Sequence, residues 1–248
     1  MRKLPHLVWQ AILWLRQIVF MFYVIVVTVV FATLTVILSW LHLPLHVRLI
    51  PARIWSKLMY VGMVLILWLR MKIEGQAHVP KTPCVFISKH QSAWETLIFH
   101  GIFPNICFVL KKELLKIPLF GQGLKAADSI PIDREQSLKS FKEVLQNGKQ
   151  RLKNAQSIVI FPEGTRVPVG QYPKFHRTAM SLAKSTGAKL VPIAHNSGVF
   201  WPPRFGLIQP GCITLKFGEP ILPEDFKLDA LNQHCYKWIN QEVKQLGG

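Results

Sequence analysis

The hydrophobic positions of the chain divide it into two parts with different patterns. Ile18–Trp40 is a run of 23 residues without a charge. As a helix it would measure roughly 34 Å, enough to cross a hydrocarbon core of about 30 Å. A second apolar stretch, Met59–Leu69, has only 11 residues before Arg70. It is too short to span, so we expect it to be interfacial, re-entrant or packed on the domain that follows.

From about residue 84 the pattern changes to short apolar runs separated by polar stretches of helical period. Continuous apolar runs of this length predict strands that are covered on both faces. The predicted strands are Cys84–Ser88, Ile106–Leu110, Ser129–Ile132, Ser157–Phe161, Leu190–Ala194 and Ile213–Phe217. The predicted helices are Ala93–Gly101, Gln136–Asn154, His176–Thr186 and Glu224–Gln245. This alternation predicts an α/β domain with a parallel or mixed sheet over residues 74–248, preceded by membrane-anchoring helices over residues 1–73.

The charge of the chain strengthens the membrane interpretation. The 248 residues carry 30 Lys and Arg against 13 Asp and Glu, a net charge of +17, and residues 1–73 hold eight of the cations and no acid. Such a balance suits nucleic acid or an anionic bilayer, and the apolar surroundings of these cations favour the bilayer. Cations flank Ile18–Trp40 on both sides, so the positive-inside rule selects no orientation. We favour a helix pair that enters and leaves on one face over a full crossing.

Several kinds of site are excluded by what the chain lacks. The four cysteines are far apart and form no CxxC, so neither a disulfide framework nor a metal site is expected. Neither G-x-x-x-x-G-K-S/T nor G-x-G-x-x-G occurs, which argues against the common nucleotide-binding loops. The serine-hydrolase motif G-x-S-x-G and the zinc motif H-E-x-x-H are also missing.

A histidine and a carboxylate lie five positions apart after the first predicted strand. The segment from Ser92 to Glu95 matches a capping box, in which a first-turn carboxylate accepts a backbone N–H at the helix start. The same carboxylate can reach Nδ1–H of His90 and leave Nε2 as an acceptor, the arrangement of a general base. The spacing leaves both roles, helix cap and catalytic partner, open for Glu95.

A glycine-containing turn follows the fourth predicted strand, in the segment Phe161–Arg166 with the sequence FPEGTR. Gly164 allows the backbone to approach a ligand closely, and Thr165 offers a hydroxyl. The guanidinium of Arg166 has the planar geometry that binds phosphate through two parallel hydrogen bonds. Glu163 is expected to fix either Arg166 or the histidine. A tight turn with a surface ion pair is the alternative interpretation.

Both candidate segments come directly after predicted strands. In open α/β sheets, ligands bind at the carboxyl ends of the strands. Parallel pairing would therefore bring His90 and the FPEGTR turn to one rim of the sheet. His176 and His195 are isolated histidines and are interpreted as structural.

Together these segments resemble the glycerolipid acyltransferase family, which includes the 1-acyl-glycerol-3-phosphate acyltransferases. The family's N-H-x-S-x-x-D block is similar to Lys89–Glu95, and its K-x-E-L segment is similar to Lys111–Leu114. Its I-D-R block resembles Ile132–Arg134, F-P-E-G-T-R is present unchanged, and V-P-hydrophobic matches Val191–Ile193. Lys89 stands where the family usually has Asn, and Glu95 where it usually has Asp.

The resemblance implies a glycerol-3-phosphate acyltransferase-like fold, a mixed sheet flanked by helices with an N-terminal membrane-anchoring helix pair. It implies that His90, oriented by Glu95, is the general base that activates an acceptor hydroxyl. That hydroxyl attacks the thioester of acyl-CoA or acyl carrier protein, and backbone N–H groups at the start of the following helix are candidates for stabilising the oxyanion.

The resemblance also implies a substrate-binding turn formed by Glu163, Gly164, Thr165 and Arg166. Arg166, together with Arg134, would hold the acceptor phosphate. No metal and no tightly bound cofactor is required, since the acyl thioester is itself a substrate.

The most specific activity implied is acylation of a lysophospholipid, 1-acyl-sn-glycerol-3-phosphate, to phosphatidic acid. The expected location is the cytoplasmic face of a bacterial inner membrane, with the bilayer as a partner and no nucleic acid. A late acyltransferase of lipid A and a lysophospholipid-remodelling acyltransferase are alternatives. A membrane-tethered protein that binds anionic lipid or nucleic acid is the non-enzymatic alternative.

Overall fold

A mixed sheet runs through the protein in the computed structural model, which describes residues 6–103, 105–133, 137–204 and 206–248. Within these ranges its strands are β1 (Leu69–Glu74), β2 (Val85–Ser88), β3 (Ile106–Lys111), β4 (Ile130–Ile132), β5 (Ser157–Ile160), β6 (Leu190–His195) and β7 (Gly211–Phe217). Their spatial order is β1-β7-β6-β2-β5-β3-β4, and all neighbours are parallel except β6 and β7. The predicted mixed sheet is confirmed, and the six predicted strands are all present.

The first strand, β1, is absent from the sequence prediction. It pairs in parallel with β7 from Leu69 opposite Gly211 to Glu74 opposite Lys216. Its residues alternate as L-R-M-K-I-E, the pattern of a strand with one face on the core. The sheet therefore begins at Leu69, five residues before the predicted domain start at residue 74.

The helices are α1 (His6–Trp40), α2 (Leu45–Leu67), α3 (Trp94–Ile102), α4 (Phe120–Ala126), α5 (Ser137–Lys153), α6 (Thr178–Thr186), α7 (Ser197–Phe200) and α8 (Leu228–Gln245). The four helices predicted for the domain correspond to α3, α5, α6 and α8. Helix α4 was not predictable from helix propensity because it contains Gly121 and Gly123. A Cβ at Gly121 would lie 2.3 Å from the carbonyl oxygen of Leu115, and Gly123 packs against Ala32 of α1. These glycines therefore permit close packing.

Helices cover both faces of the sheet, as the continuous apolar strands predict. Side chains alternate along β2, so that Val85 and Ile87 point to one face and Phe86 to the other. The first face packs against α5, α6 and α8, and the second against α2 and α3. The site described below lies where these layers meet the strand ends.

The second N-terminal helix is longer than the predicted apolar stretch Met59–Leu69. Helix α2 begins at Leu45 and has 23 residues, because cations in its first half interrupt the apolar run without ending the helix. One face of its second half, at Met59, Met63 and Leu67, is buried in the core of the domain. Packing on the domain is thus confirmed. The complete helix α2, unlike the predicted stretch of 11 residues, is long and apolar enough to cross a membrane by length and composition.

The first helix lies along the domain with one face exposed. Toward its N-terminal end, the Gln17 side-chain oxygen accepts a hydrogen bond from Ile208 N–H at 3.0 Å. Fifteen residues later Ala32 contacts α4. The opposite face exposes large apolar side chains, among them Leu15, Ile18, Phe22, Ile25, Val29 and Ile37. Both α1 and α2 are long and apolar enough to cross a membrane by length and composition, and an exposed apolar surface of this size marks a contact with membrane or partner.

Candidate active site

Three neighbouring parallel strands end at one rim of the sheet. Strand β2 lies between β6 and β5 and pairs in parallel with each. His195 ends β6, His90 follows β2, and the FPEGTR turn follows β5. The prediction that the histidine and the turn share one rim is therefore confirmed.

His90 and Glu95 form a hydrogen-bonded pair at this rim. His90 Nδ1 lies 3.3 Å from Glu95 Oε2, and the Glu95 side chain has no exposed surface. A carboxylate only accepts, so Nδ1 carries the hydrogen and Nε2 keeps its lone pair. The ring of Phe161 stacks on the imidazole with centroids 4.0 Å apart and fixes its plane. This geometry is that of a histidine prepared to act as a base.

The Glu95 carboxylate also accepts hydrogen bonds from backbone N–H groups at the start of helix α3. Its Oε1 accepts the backbone N–H groups of Gln91 and Ser92, each at 3.0 Å. The Ser92 hydroxyl in turn accepts the N–H of Trp94 at 3.1 Å. The two roles proposed for Glu95 are thus compatible, because one oxygen caps the helix and the other faces the histidine. These three N–H groups are occupied within the loop, which argues against the expectation that they bind an oxyanion.

Two further buried side chains, those of His195 and Ser197, contact the carboxylate of Glu95. His195 Nε2 is 2.8 Å from the carbonyl oxygen of Lys89 and 3.3 Å from Glu95 Oε1. Both neighbours are acceptors, so Nε2 carries the hydrogen of this imidazole. The Ser197 hydroxyl donates to Glu95 Oε1 at 2.6 Å. His195, which is interpreted as structural from the sequence, is a completely buried support of Glu95. Ser197 has no signal in the sequence that would assign it to this contact.

These contacts determine the charge of the carboxylate. Burial by itself would raise the pKa of Glu95, but the donors supplied by His195, His90 and Ser197 lower it to about 2. Burial lowers the pKa of His195, which is therefore a neutral donor near pH 7. Glu95 stays ionised at any ordinary pH and can stabilise an imidazolium on His90.

The turn after β5 has the conformation its sequence predicts. Gly164 adopts a φ of 69°, in the left-handed region that glycine tolerates, and its N–H donates to Phe161 O at 3.1 Å. The N–H of Val167 donates to the carbonyl oxygen of His90 at 2.8 Å, which ties the turn to the histidine loop. Arg166 is exposed, and within the described ranges no acidic side chain is close enough to form an ion pair with it.

Glu163 has a partner that the sequence interpretation did not consider. Its carboxylate lies 3.1 Å from the ammonium of Lys89, and both side chains are completely buried. The expectation that Glu163 fixes Arg166 or the histidine is therefore wrong. No local signal could identify this pair, because the two residues are 74 positions apart and meet only through the pairing of β2 with β5.

His90 and the turn after β5 line one cavity of about 870 Å³. Its polar wall includes His90, the turn residues Glu163, Gly164, Thr165 and Arg166, and His176. Its apolar wall comes from α1 to α4 and strand β3, and includes Phe31, Ala32, Trp55, Leu97, Phe108 and Leu124. The volume and the mixture of walls suit a ligand with one polar and one apolar end. His176, interpreted as structural, thus also lies in the site.

Arg134 is the remaining predicted site residue, and it lies outside the described residues. Within the described ranges, no three His, Cys, Asp or Glu side chains are grouped closely enough to hold a metal ion.

Comparison with known proteins identifies relatives of this chain. The sequence profile of the acyltransferase family matches residues 70–196. A 1-acyl-sn-glycerol-3-phosphate acyltransferase of Pseudomonas aeruginosa is 38% identical over 181 residues, which cover 72% of this chain and 70% of the relative. A protein of the same name from Saccharomyces cerevisiae is 28% identical over 77% of this chain and 64% of the relative.

The fold is also that of a solved relative. The crystal structure of the 1-acyl-sn-glycerophosphate acyltransferase PlsC from Thermotoga maritima superimposes with a TM-score of 0.80, covering 94% of this chain and 95% of that one at 22% identity. The profile match covers half of the chain, and the Pseudomonas relative extends over most of it. The chain therefore belongs to the glycerolipid acyltransferase family that its motifs indicate, and it is an O-acyltransferase.

Proposed function

We propose that this protein transfers a fatty acyl group from acyl-CoA or acyl carrier protein to the free hydroxyl of 1-acyl-sn-glycerol-3-phosphate, giving phosphatidic acid. The observation that supports the proposal is one cavity that is lined by His90, by Arg166 and by apolar side chains. Curated relatives named for this acceptor support the same choice.

His90 would supply the proton transfers of the reaction. Its Nε2 takes the proton of the acceptor hydroxyl as the oxygen attacks the thioester carbonyl carbon. When the tetrahedral intermediate collapses, the C–S bond breaks and the imidazolium returns the proton to the leaving thiolate. Glu95 stabilises the imidazolium between these two steps. The products are the new ester and a free thiol.

The two walls of the cavity would bind the two ends of the acceptor. Among the described residues, no carboxylate lies within ion-pair distance of Arg166. Its guanidinium could form two parallel hydrogen bonds with the phosphate, with Thr165 and Gly164 beside it. Arg134 would assist, as the family resemblance implies. The apolar wall, built partly by the membrane helices α1 and α2, suits acyl chains that enter from the bilayer.

The helix pair would anchor the enzyme to one face of the membrane. Near one end of α1, Gln17 is tied to the domain, and at the start of α2 Arg48 donates to the carbonyl oxygen of Ala126 at 3.0 Å. These contacts at both ends of the hairpin support an arrangement in which it stays on the side of the domain. Lys57, exposed near the middle of α2, would otherwise lie in hydrocarbon at a cost of about 3 kcal/mol. We expect the cytoplasmic face of a bacterial inner membrane, where acyl thioesters are available.

Acyl transfer by the purified protein in mixed micelles tests the proposal. Acceptors would be 1-acyl-sn-glycerol-3-phosphate, the same lipid without phosphate, lysophosphatidylcholine and a lipid A precursor, each with acyl-CoA and with acyl carrier protein. We expect acylation of the phosphate monoester and none by His90→Ala. Preferential acylation of the lipid A precursor or of lysophosphatidylcholine would overturn it.

A further inference from the structure

Lys89 is a completely buried lysine directly before His90. A buried ammonium is costly unless its donors are paired. Its Nζ lies 3.1 Å from Glu163 Oε1, 3.2 Å from the carbonyl oxygen of Gln171 and 3.4 Å from Asn240 Oδ1. The last two contacts are hydrogen bonds that the ammonium donates, and the contact with Glu163 is an ion pair. Lys89 is therefore held behind the rim of the site by three contacts.

Glu163 in turn depends on Lys89. Within the described ranges, Lys89 supplies the one cationic group within ion-pair distance of this carboxylate. Burial raises the pKa of Glu163 to about 7, and the neighbouring ammonium opposes that rise. Without the ammonium, the buried carboxyl group would take up a proton, and the ion pair between the two loops would be lost.

The pair joins the two loops from which the proposed acceptor site is built. Lys89 is one residue before His90, and Glu163 is three residues before Arg166. Both His90 and Glu163 contribute to the wall of the same cavity as Arg166. A displaced Glu163 turn would therefore move Arg166 away from the acceptor phosphate. The apolar wall, which comes from α1 to α4 and β3, would stay in place.

We infer that Lys89 is a positioning residue for the acceptor. It holds the Glu163 turn, and with it Arg166, in register with His90. This inference rests on the proposed function, because it assumes an acceptor that carries a phosphate.

The test separates acceptor binding from folding and from donor binding. Lys89→Met should raise the acceptor KM on the order of tenfold or more while the acyl-thioester KM stays within about twofold. Glu163→Gln should raise the acceptor KM in the same way, and the double variant Lys89→Met/Glu163→Gln should be little worse than either single variant, because the two side chains act as one unit. Lys216→Met is the matched control, since Lys216 pairs with Glu242 on β7 and α8, outside the cavity wall. It should leave both KM values unchanged.

Lys89→Gln provides a second measurement if Lys89→Met does not fold. It keeps a side-chain donor for Glu163 but is shorter than lysine, and should still raise the acceptor KM. An acceptor KM within twofold of wild type in the folded Lys89 variants would overturn the inference, as would additive effects of the two substitutions in the double variant. Inactivity of the wild type on phosphorylated acceptors would instead overturn the proposed function. The two failures are therefore distinguishable.

Discussion

The carboxylate of Glu95 combines two tasks that usually fall to different residues. It accepts two backbone N–H groups at the start of α3 and also holds Nδ1 of His90. Because it accepts through both oxygens, an amide in its place can satisfy only one of these tasks.

We expect Glu95→Gln to lower kcat by roughly 10² or more, comparable with a general-base contribution, because the imidazolium on His90 loses its counter-charge. His90→Ala should be about equally inactive. The double variant should be little worse than either, since the two side chains act as one unit. Steady-state kinetics with saturating acceptor measures this, with circular dichroism as the control for folding. A Glu95→Gln enzyme with nearly normal turnover would leave the residue as a helix cap alone.

The depressed pKa of Glu95 also predicts how stability depends on pH. The pKa is about 2 in the folded protein against 4.5 as its ordinary value. A carboxylate with a lowered folded pKa stabilises the protein above its unfolded pKa, and this contribution, roughly 3 kcal/mol, is lost as the pH falls from about 4.5 toward 2. The difference in unfolding free energy between wild type and Glu95→Gln should therefore shrink below pH 4.5. A difference that stays constant down to pH 3 would contradict the assignment.

Arg166 offers a test of phosphate recognition. Arg166→Lys keeps the charge but loses the two parallel hydrogen bonds, and should raise the acceptor KM about tenfold, or about 1.4 kcal/mol. Arg166→Ala should raise the acceptor KM further than Arg166→Lys does. An acceptor without a phosphate is the control, since its KM should not respond. Unchanged KM values for phosphorylated acceptors in both variants would exclude a phosphate-binding role.

At the scale of elements, the membrane hairpin is held together by close packing of α1 on α2. A Cβ at Gly62 of α2 would lie 2.4 Å from Cε1 of Tyr23, whose hydroxyl is anchored to the carbonyl oxygen of Leu58 at 2.8 Å. The ring cannot move aside without losing that hydrogen bond. The glycine therefore sets how closely the two helices approach.

We expect Gly62→Ala to destabilise the protein by about 1–3 kcal/mol through overpacking, seen as a lower Tm in detergent. In a Tyr23→Ala background, Gly62→Ala should destabilise the protein much less, because the ring that the new methyl group would contact is gone. Simple additivity of the two substitutions would show that the contact does not limit the packing of the hairpin.

For the whole molecule, one-sided anchoring predicts where the N-terminus lies. The protein should stay with membranes in high salt and require detergent for extraction, because α1 exposes an apolar face along most of its length. Cys212 is exposed, while the other three cysteines are buried. An impermeant thiol reagent at Cys212 and an antibody against an N-terminal tag should therefore reach the protein from the same face of sealed vesicles. Labelling from opposite faces would show that α1 crosses.

Features with short sequence separation were predictable from the chain alone. The six strands, the four domain helices, the FPEGTR turn and the reach of Glu95 to His90 all follow from spacings of a few residues. Backbone geometry limits such neighbours to a few arrangements, so residue type and period suffice. The shared rim of His90 and the turn needed one further assumption, parallel pairing, which apolar strands alternating with helices justify.

Features that join distant parts of the chain were not predictable. The pairing of Lys89 with Glu163, and the support of Glu95 by His195 and Ser197, depend on β2 lying between β5 and β6. The order of strands in a sheet differs from their order in the chain, and it is fixed by how all the layers pack together. The same holds for the cavity between the membrane helices and the sheet, and for α4, whose glycines make sense only against the surfaces they touch. Local pattern thus defines the elements and the reactive pair, whereas burial and charge compensation around that pair arise from contacts that exist only once the sheet is assembled.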